Sequence, residues 1–288
     1  MKKQTMHYKQ QHVDGINIFY RETGDRTKPH LILLNGVPSS SSAFQELMND
    51  LKDDFYLVAP DFPGFGNSDI PSRQEYEYTF HNLSVTIEKF ISQLGLVKPH
   101  LYAIGYGGPV GFRIAVRQPA LFASLILQNS NAYFEGLGPA MQAAEPYLKN
   151  RNEETEQLVR PLLTTLDGIK LFYLSGAEDA SRINPDGYNN SFYYLNRPGQ
   201  QEIQLDLLYN YGSNLAEYPA WQQFLKTQQP RILLVWGKND VFFPLSAAEA
   251  IKKDVPGAEL HAFNTSHLAL EEYHTEIAEK IRKFVNGR

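Results

Sequence analysis

The chain has 288 residues, 42% hydrophobic and 20% charged, which is long enough for a large core in one or two domains. Its 27 Lys and Arg against 32 Asp and Glu give a formal charge of −5 with no basic block, excluding the electrostatic footprint of a nucleic-acid binder. It has no cysteine, so disulfides, thiolate nucleophiles and cysteine-ligated metals are excluded, and no apolar run approaches the roughly 18 residues of a membrane span.

At the start, Met1-Lys2-Lys3 is followed by no apolar segment, so a cleaved secretory signal is not expected and a cytoplasmic location is the default. Ile16–Tyr20 reads as an early edge strand. His30–Leu34 and Phe55–Pro60 read as buried strands, being short, apolar and followed by turn residues. Helical signal covers Ala43–Leu51 and Thr79–Leu94. In the second stretch Leu83, Ile87, Phe90, Ile91 and Leu94 recur at helical spacing, with Thr79 as N-cap and Gly95 as the stop.

Leu101–Ile104 is a third buried strand, running into the turn Gly105-Tyr106-Gly107-Gly108-Pro109 and then a helix through Arg117. Ala123–Gln128, Arg231–Trp236 and Ala258–Phe263 supply three more strands, with helices over about Ser246–Lys253 and Ala269–Val285. This alternation predicts an α/β fold with a mostly parallel central sheet flanked by helices. Between Tyr133 and Gln229 the strand rhythm lapses into helical patches rich in Tyr, Leu, Asn and Gln, too apolar for a disordered linker. Ligands of open α/β sheets bind beyond the carboxyl ends of the strands, so the loops after Leu34, Ile104, Trp236 and Phe263 are expected to converge.

The chain carries five motifs, four of them in these loops and one after Pro60. They are Asn35-Gly36-Val37-Pro38, Asp61-Phe62-Pro63-Gly64-Phe65-Gly66-Asn67-Ser68-Asp69, Ala103-Ile104-Gly105-Tyr106-Gly107-Gly108, Trp236-Gly237-Lys238-Asn239-Asp240 and Thr265-Ser266-His267. Each alone is weak. Five in this order, spanning nearly the whole chain, are specific, and the sequence resembles the α/β-hydrolase fold family, in its haloalkane dehalogenase and epoxide hydrolase branch. The resemblance implies a discontinuous core over 1–133 and 230–288, with a helical cap over 134–229 inserted after the sixth strand.

It also implies a nucleophile, acid and histidine in chain order, with the nucleophile on a strained strand-to-helix turn. The small residues Ala103, Gly107 and Gly108 put Gly105 at the apex; a shifted register would put Tyr106 there instead. Glycine has no side chain, so neither a Ser hydroxyl nor the Asp carboxylate usual in this branch is available for a covalent intermediate. The other two positions are filled: Asp240 comes 135 residues after Gly105, and His267 27 after that. Taken singly, Asp240 reads as a turn residue and His267 as a loop residue before the last helix. Taken together in the family's motifs they read as a pair, in which the carboxylate fixes the imidazole tautomer and leaves His267 as a general base.

The resemblance further implies that the backbone N–H groups of Val37 and Tyr106 form an oxyanion hole, since backbone donors do not depend on side-chain identity. Asn35 stands where the family usually has His, and reads equally as a site residue and as a tight-turn residue before Gly36. Haloalkane dehalogenases usually hold the halide with a Trp and an Asn at the positions of Tyr106 and Val37, so a halide cradle is not evident. Epoxide hydrolases use cap tyrosines as acids. Here Tyr147, Tyr173, Tyr188, Tyr193, Tyr194, Tyr209, Tyr211 and Tyr218 offer too many for a pair to be chosen, and most read as packing residues. The Gly64–Ser68 stretch lacks the lysine and helix of a phosphate loop and reads as a structural turn. His7, His12, His81, His261 and His274 have no metal-ligand spacing, so no metal and no cofactor are implied.

Three readings of function follow. One is an enzyme acting without covalent catalysis on a small hydrophobic molecule through His267 and Asp240, by water activation or by elimination, isomerisation or cyclisation. Another is a non-catalytic ligand-binding protein with a capped pocket. The third is an epoxide-hydrolase-like or other hydrolase inactivated at Gly105. Neither a nucleic-acid nor a membrane partner is expected, and the oligomeric state is open.

Overall fold

The structure is a computed structural model and describes residues 5–287. Met1–Gln4, which bear on the expectation about a leader, and Arg288 lie outside the described residues. The strands are β1 (His7–Val13), β2 (Ile16–Thr23), β3 (His30–Leu34), β4 (Tyr56–Pro60), β5 (His100–Ile104), β6 (Ser124–Gln128), β7 (Ile232–Gly237) and β8 (Glu259–Phe263). They form one sheet in the order β1-β2-β4-β3-β5-β6-β7-β8. The pairings of β2 with β1 and β4 are antiparallel, and every pairing from β4 to β8 is parallel. The mostly parallel α/β architecture is the one expected.

Strands β4, β5, β6 and β7 are buried along their whole length, which is why they read as apolar runs rather than as alternating ones. The edge is different from the expectation. Ile16–Tyr20 lies inside the sheet, in β2, and the edge strand is β1, whose HYKQQHV sequence has only Val13 buried. A strand solvated on both faces carries no apolar alternation to read. The signal that was there is the turn: Asp14 and Gly15, with φ of +48° and +88°, join β1 to β2 as an Asp-Gly hairpin.

Before β6 come α1 (Gln45–Leu51), α2 (Phe80–Gln93) and α3 (Gly107–Arg117). Between β6 and β7 lie α4 (Pro139–Ala143), α5 (Glu145–Lys149), α6 (Glu153–Thr164), α7 (Leu166–Leu174), α8 (Pro185–Leu195) and α9 (Gln200–Gln228). After β7 come α10 (Leu245–Asp254) and α11 (Leu270–Asn286). Helix α2 starts as its sequence says: the Thr79 hydroxyl accepts the Asn82 N–H at 3.1 Å, a cap worth about 1 kcal/mol, and Leu83, Ile87, Phe90 and Ile91 face the core.

The segment between β6 and β7 is helical, and its last helical patches are a single 29-residue helix, α9. Its second half docks on α3, where Phe112 stacks on Trp221 with ring centroids 5.3 Å apart and the Arg113 guanidinium donates to Asn214 Oδ1 at 3.0 Å. Its first half buries Gln200, Ile203, Gln204, Leu207, Leu208 and Tyr211, one stripe at helical spacing. Through that stripe the inserted helices cover the carboxyl edge of the sheet, where the motif loops meet.

Candidate active site

Strand β5 ends at Ile104, and the chain reverses into α3 through Gly105 at φ +49°, a left-handed conformation that costs a side-chain-bearing residue about 1–3 kcal/mol. The loop after β3 comes against this turn. A Cβ on Gly36 would stand 2.9 Å from both the Tyr106 nitrogen and the Ile104 carbonyl oxygen, so only glycine lets the two backbones approach this closely. Among the described residues neither the Val37 nor the Tyr106 backbone N–H has an acceptor.

The loop after β7 supplies Asp240. Its buried carboxylate takes three hydrogen bonds: the Phe242 N–H donates to Oδ1 at 2.8 Å, while Asn129 Nδ2 and His267 Nδ1 donate to Oδ2 at 2.9 and 2.8 Å. The loop after β8 supplies His267. Its ring lies among Phe172, Phe242 and Phe243, with centroids 6.0, 5.4 and 5.9 Å away, and its carbonyl accepts from Gln128 Nε2 at 3.1 Å. The neighbouring Ser266 hydroxyl donates to the Tyr173 carbonyl at 2.9 Å, and the Thr265 hydroxyl donates to Glu272. With Nδ1–H bound to the carboxylate, the lone pair of neutral His267 sits on Nε2, which has no partner among the described residues. A Cβ on Gly105 would stand 3.0 Å from that nitrogen.

Gly105, Tyr106, Val37 and His267 border one cavity, which Met141, Leu163, Phe172 and Leu208 of the helices between β6 and β7 also line, together with Phe242 and Phe243. The four loops therefore converge as expected. The cavity holds about 30 Å³, room for about one water, and its walls are almost wholly apolar. The small hydrophobic molecule expected from the sequence fits only if side chains of the inserted helices move. A larger, open cleft of about 740 Å³ lies elsewhere, beside Asp14, Asp69, Tyr76 and Thr86, and has none of these groups.

Some candidate residues have other surroundings. Asn35 does not border the cavity: its Nδ2 donates to the Ser39 carbonyl at 2.8 Å and knits its own turn. The Tyr106 ring packs on Phe80 and Tyr211 at 4.9 and 6.1 Å, and its buried hydroxyl has no partner among the described residues. None of the eight tyrosines of the insertion borders the cavity. Tyr147 donates to the Leu205 carbonyl at 3.0 Å, Tyr173 to that of Gly187 at 3.1 Å, and the hydroxyls of Tyr211 and Tyr218 meet at 3.2 Å. The Gly64–Ser68 stretch is a turn held by buried Asp61, which accepts the Ser41 and Asn67 N–H groups at 2.6 and 2.7 Å. Burial pushes the Asp61 carboxyl above its ordinary range, against the pull of those N–H groups. Among the described residues no three His, Asp or Glu side chains gather as a metal site.

Asn129 escaped the sequence reading. Its Nδ2 donates to the Gly237 carbonyl at 3.0 Å as well as to Asp240, and its Oδ1 accepts the Gly237 N–H at 2.9 Å, so it ties the end of β6 to the acid loop. The available signal was the polar run Gln128-Asn129-Ser130-Asn131 directly after a buried strand, at the edge where ligands bind.

A family profile described as the alpha/beta hydrolase fold matches residues 29–273. The chain belongs to the α/β-hydrolase fold family. Within that family it is 34% identical over 276 residues to an uncharacterized hydrolase of Saccharomyces cerevisiae, covering 93% of each chain. A shorter stretch of 115 residues is 32% identical to epoxide hydrolase 4 of Mus musculus, covering 40% of this chain and 32% of that one. The fold superposes on a haloalkane dehalogenase of Bradyrhizobium elkani with a TM-score of 0.78 at 17% identity, covering 99% of this chain and 100% of the other. Among the described residues of this α/β-hydrolase-fold protein no helix is long and apolar enough to cross a membrane.

Proposed function

We propose that this α/β-hydrolase-fold protein is an enzyme in which His267, oriented by Asp240, is the general base, with no covalent intermediate on residue 105. The observation that carries the reading is the unpartnered Nε2 of His267, facing the space a side chain on Gly105 would fill. A water in that space gives its proton to Nε2 as its oxygen bonds to an electrophilic carbon of the substrate, a carbonyl or an epoxide carbon. The electron pair displaced onto the substrate oxygen is received by the Val37 and Tyr106 N–H groups, which act as an oxyanion hole. His267 then returns the proton to the leaving oxygen. The apolar walls exclude other water, which strengthens each of these interactions. In this reading the inserted helices are a cap that moves to admit a small hydrophobic substrate, and Asp240 is a positioning residue for His267.

The turn at Gly105 favours a second reading. It keeps the direction a nucleophile's side chain would take, straight at His267, as in a hydrolase that has lost only that side chain. Assays on epoxides, esters and haloalkanes with the unaltered protein, Gly105→Asp and His267→Ala separate the two. Turnover by the unaltered protein that is lost in His267→Ala supports base catalysis without a nucleophile. Turnover appearing only in Gly105→Asp overturns it in favour of the second reading, and silence in all three leaves a ligand-binding role.

A further inference from the structure

Along α9, leading to Leu208 at the cavity wall, lie buried polar atoms that no bond among the described residues accounts for. Leu208 borders the cavity, and Gln204 and Gln200 stand one and two turns back along the same face of α9. Both glutamines are 98% buried, and Gln204 Oε1 and Gln200 Nε2 have no hydrogen-bond partner among the described residues. Arg197, just before the helix, has Nη2 buried and unpartnered in the same way. Its Nε donates to the Tyr194 carbonyl at 3.3 Å and its guanidinium lies over the Tyr194 ring, but among the described residues it has no ion pair.

Burial pushes the Arg197 guanidinium down from its ordinary range, and the nearby Asp61 carboxyl pulls it partly back. The oxygens of Asp61 are engaged by the Ser41 and Asn67 N–H groups. Unpaired charge and unpaired amide donors are expensive to bury and are retained where something else completes them.

We propose that Arg197 and Gln200 form a carboxylate subsite, and that the substrate is a medium-length molecule with an acid group at one end and its reacting group at Gly105. The inference deepens the proposed function and rests on it for the reacting end, not for the binding. A carboxylate supplies two acceptors and the missing negative charge to the Arg197 and Gln200 donors, and Gln204 adds a third donor when its amide is turned over. From Gln200 to Leu208 the helix advances about 12 Å at 1.5 Å per residue, which sets the distance between the two ends of the molecule. The apolar chain between them would lie along the face of α9 that carries Leu208, once side chains of the helices between β6 and β7 move to admit it.

Calorimetric titration of the full chain with decanoate and with 1-decanol tests this. Decanoate is expected to bind more tightly than decanol. Arg197→Leu weakens decanoate by about tenfold or more, the worth of a lost charge-assisted pair, and leaves decanol unchanged. Gln200→Leu weakens decanoate less, and Arg197→Lys retains part of the preference, so a folding defect in one variant does not decide the matter. Failure of decanoate to bind, equal affinities for acid and alcohol, or an undiminished affinity in both Arg197→Leu and Gln200→Leu would overturn the subsite. His267→Ala separates this from the catalytic reading, because it abolishes turnover while the preference for decanoate over decanol, set at the other end of the molecule, stays.

Discussion

Gly105 and His267 face each other across one missing side chain: a Cβ built on Gly105 would lie 3.0 Å from His267 Nε2. The contact is tighter than ordinary packing, so the glycine leaves room for the imidazole, and the left-handed φ of +49° leaves the turn free of strain that any other residue would bring.

Gly105→Ala is therefore expected to destabilise the protein by about 1–3 kcal/mol, read as a lower melting temperature, and to cut turnover by filling the space beside Nε2 that the proposed mechanism gives to a water. Full retention of turnover in a folded Gly105→Ala variant would move the reacting centre away from this turn.

Asn129 holds the acid loop from behind, with three hydrogen bonds to Asp240 and Gly237. Asn129→Leu leaves buried polar groups of that loop unpaired, at a cost of about 1–3 kcal/mol. Because it frees the carboxylate to turn away from His267, kcat is expected to fall on the order of tenfold with KM little changed, short of the loss in His267→Ala. A change confined to KM would mean that Asn129 shapes substrate binding instead.

His100, at the start of β5, is buried against Ser124, its Nδ1 2.6 Å from the hydroxyl. Burial first, and the charge of Arg231 second, push its pKa down to about 4. The folded state thus resists a proton that the unfolded chain accepts at about 6.5. Stability from this source is complete above about 6.5 and is lost as the pH falls toward 4, with a slope of at most about 1.4 kcal/mol per pH unit. Melting curves of His100→Asn between pH 7 and 4 should fall less steeply than those of the unaltered protein; parallel curves would assign the acid sensitivity to other groups.

The cavity's size predicts its selectivity. Met141→Ala removes part of the wall facing Gly105 and His267, at a stability cost of about 2–5 kcal/mol. Turnover of bulkier acyl or epoxide substrates is expected to rise relative to that of the smallest ones. An unchanged ranking across a size series would show that motion of the helices between β6 and β7, rather than the resting wall, limits access.

Much of the fold was legible because burial writes itself into the sequence. His30–Leu34, Leu101–Ile104 and the strands of the second half stand in the sheet within a residue or two of the expected bounds, and Thr79 caps the helix it was expected to cap. Strand β1 was not legible, because an edge exposed on both faces has no apolar pattern. Helix α9 read as patches because its inward stripe is broken by Gln200, Gln204 and Asn214, polar residues whose burial no periodicity announces.

The sequence by itself determined the alternation of strands and helices, the convergence of four loops, the absence of a side chain at residue 105 and the retained Asp240 and His267. These follow from local chemistry: a glycine lacks a nucleophile wherever it sits. Only the tertiary structure decided that Asn129 braces Asp240, that Asn35 serves its own turn, that Tyr147, Tyr173, Tyr211 and Tyr218 bond away from the cavity and that the cavity has room for about one water. Each of these depends on which side chains of distant segments meet, and a side chain's partner is set by the packing of the whole core rather than by its neighbours in the chain.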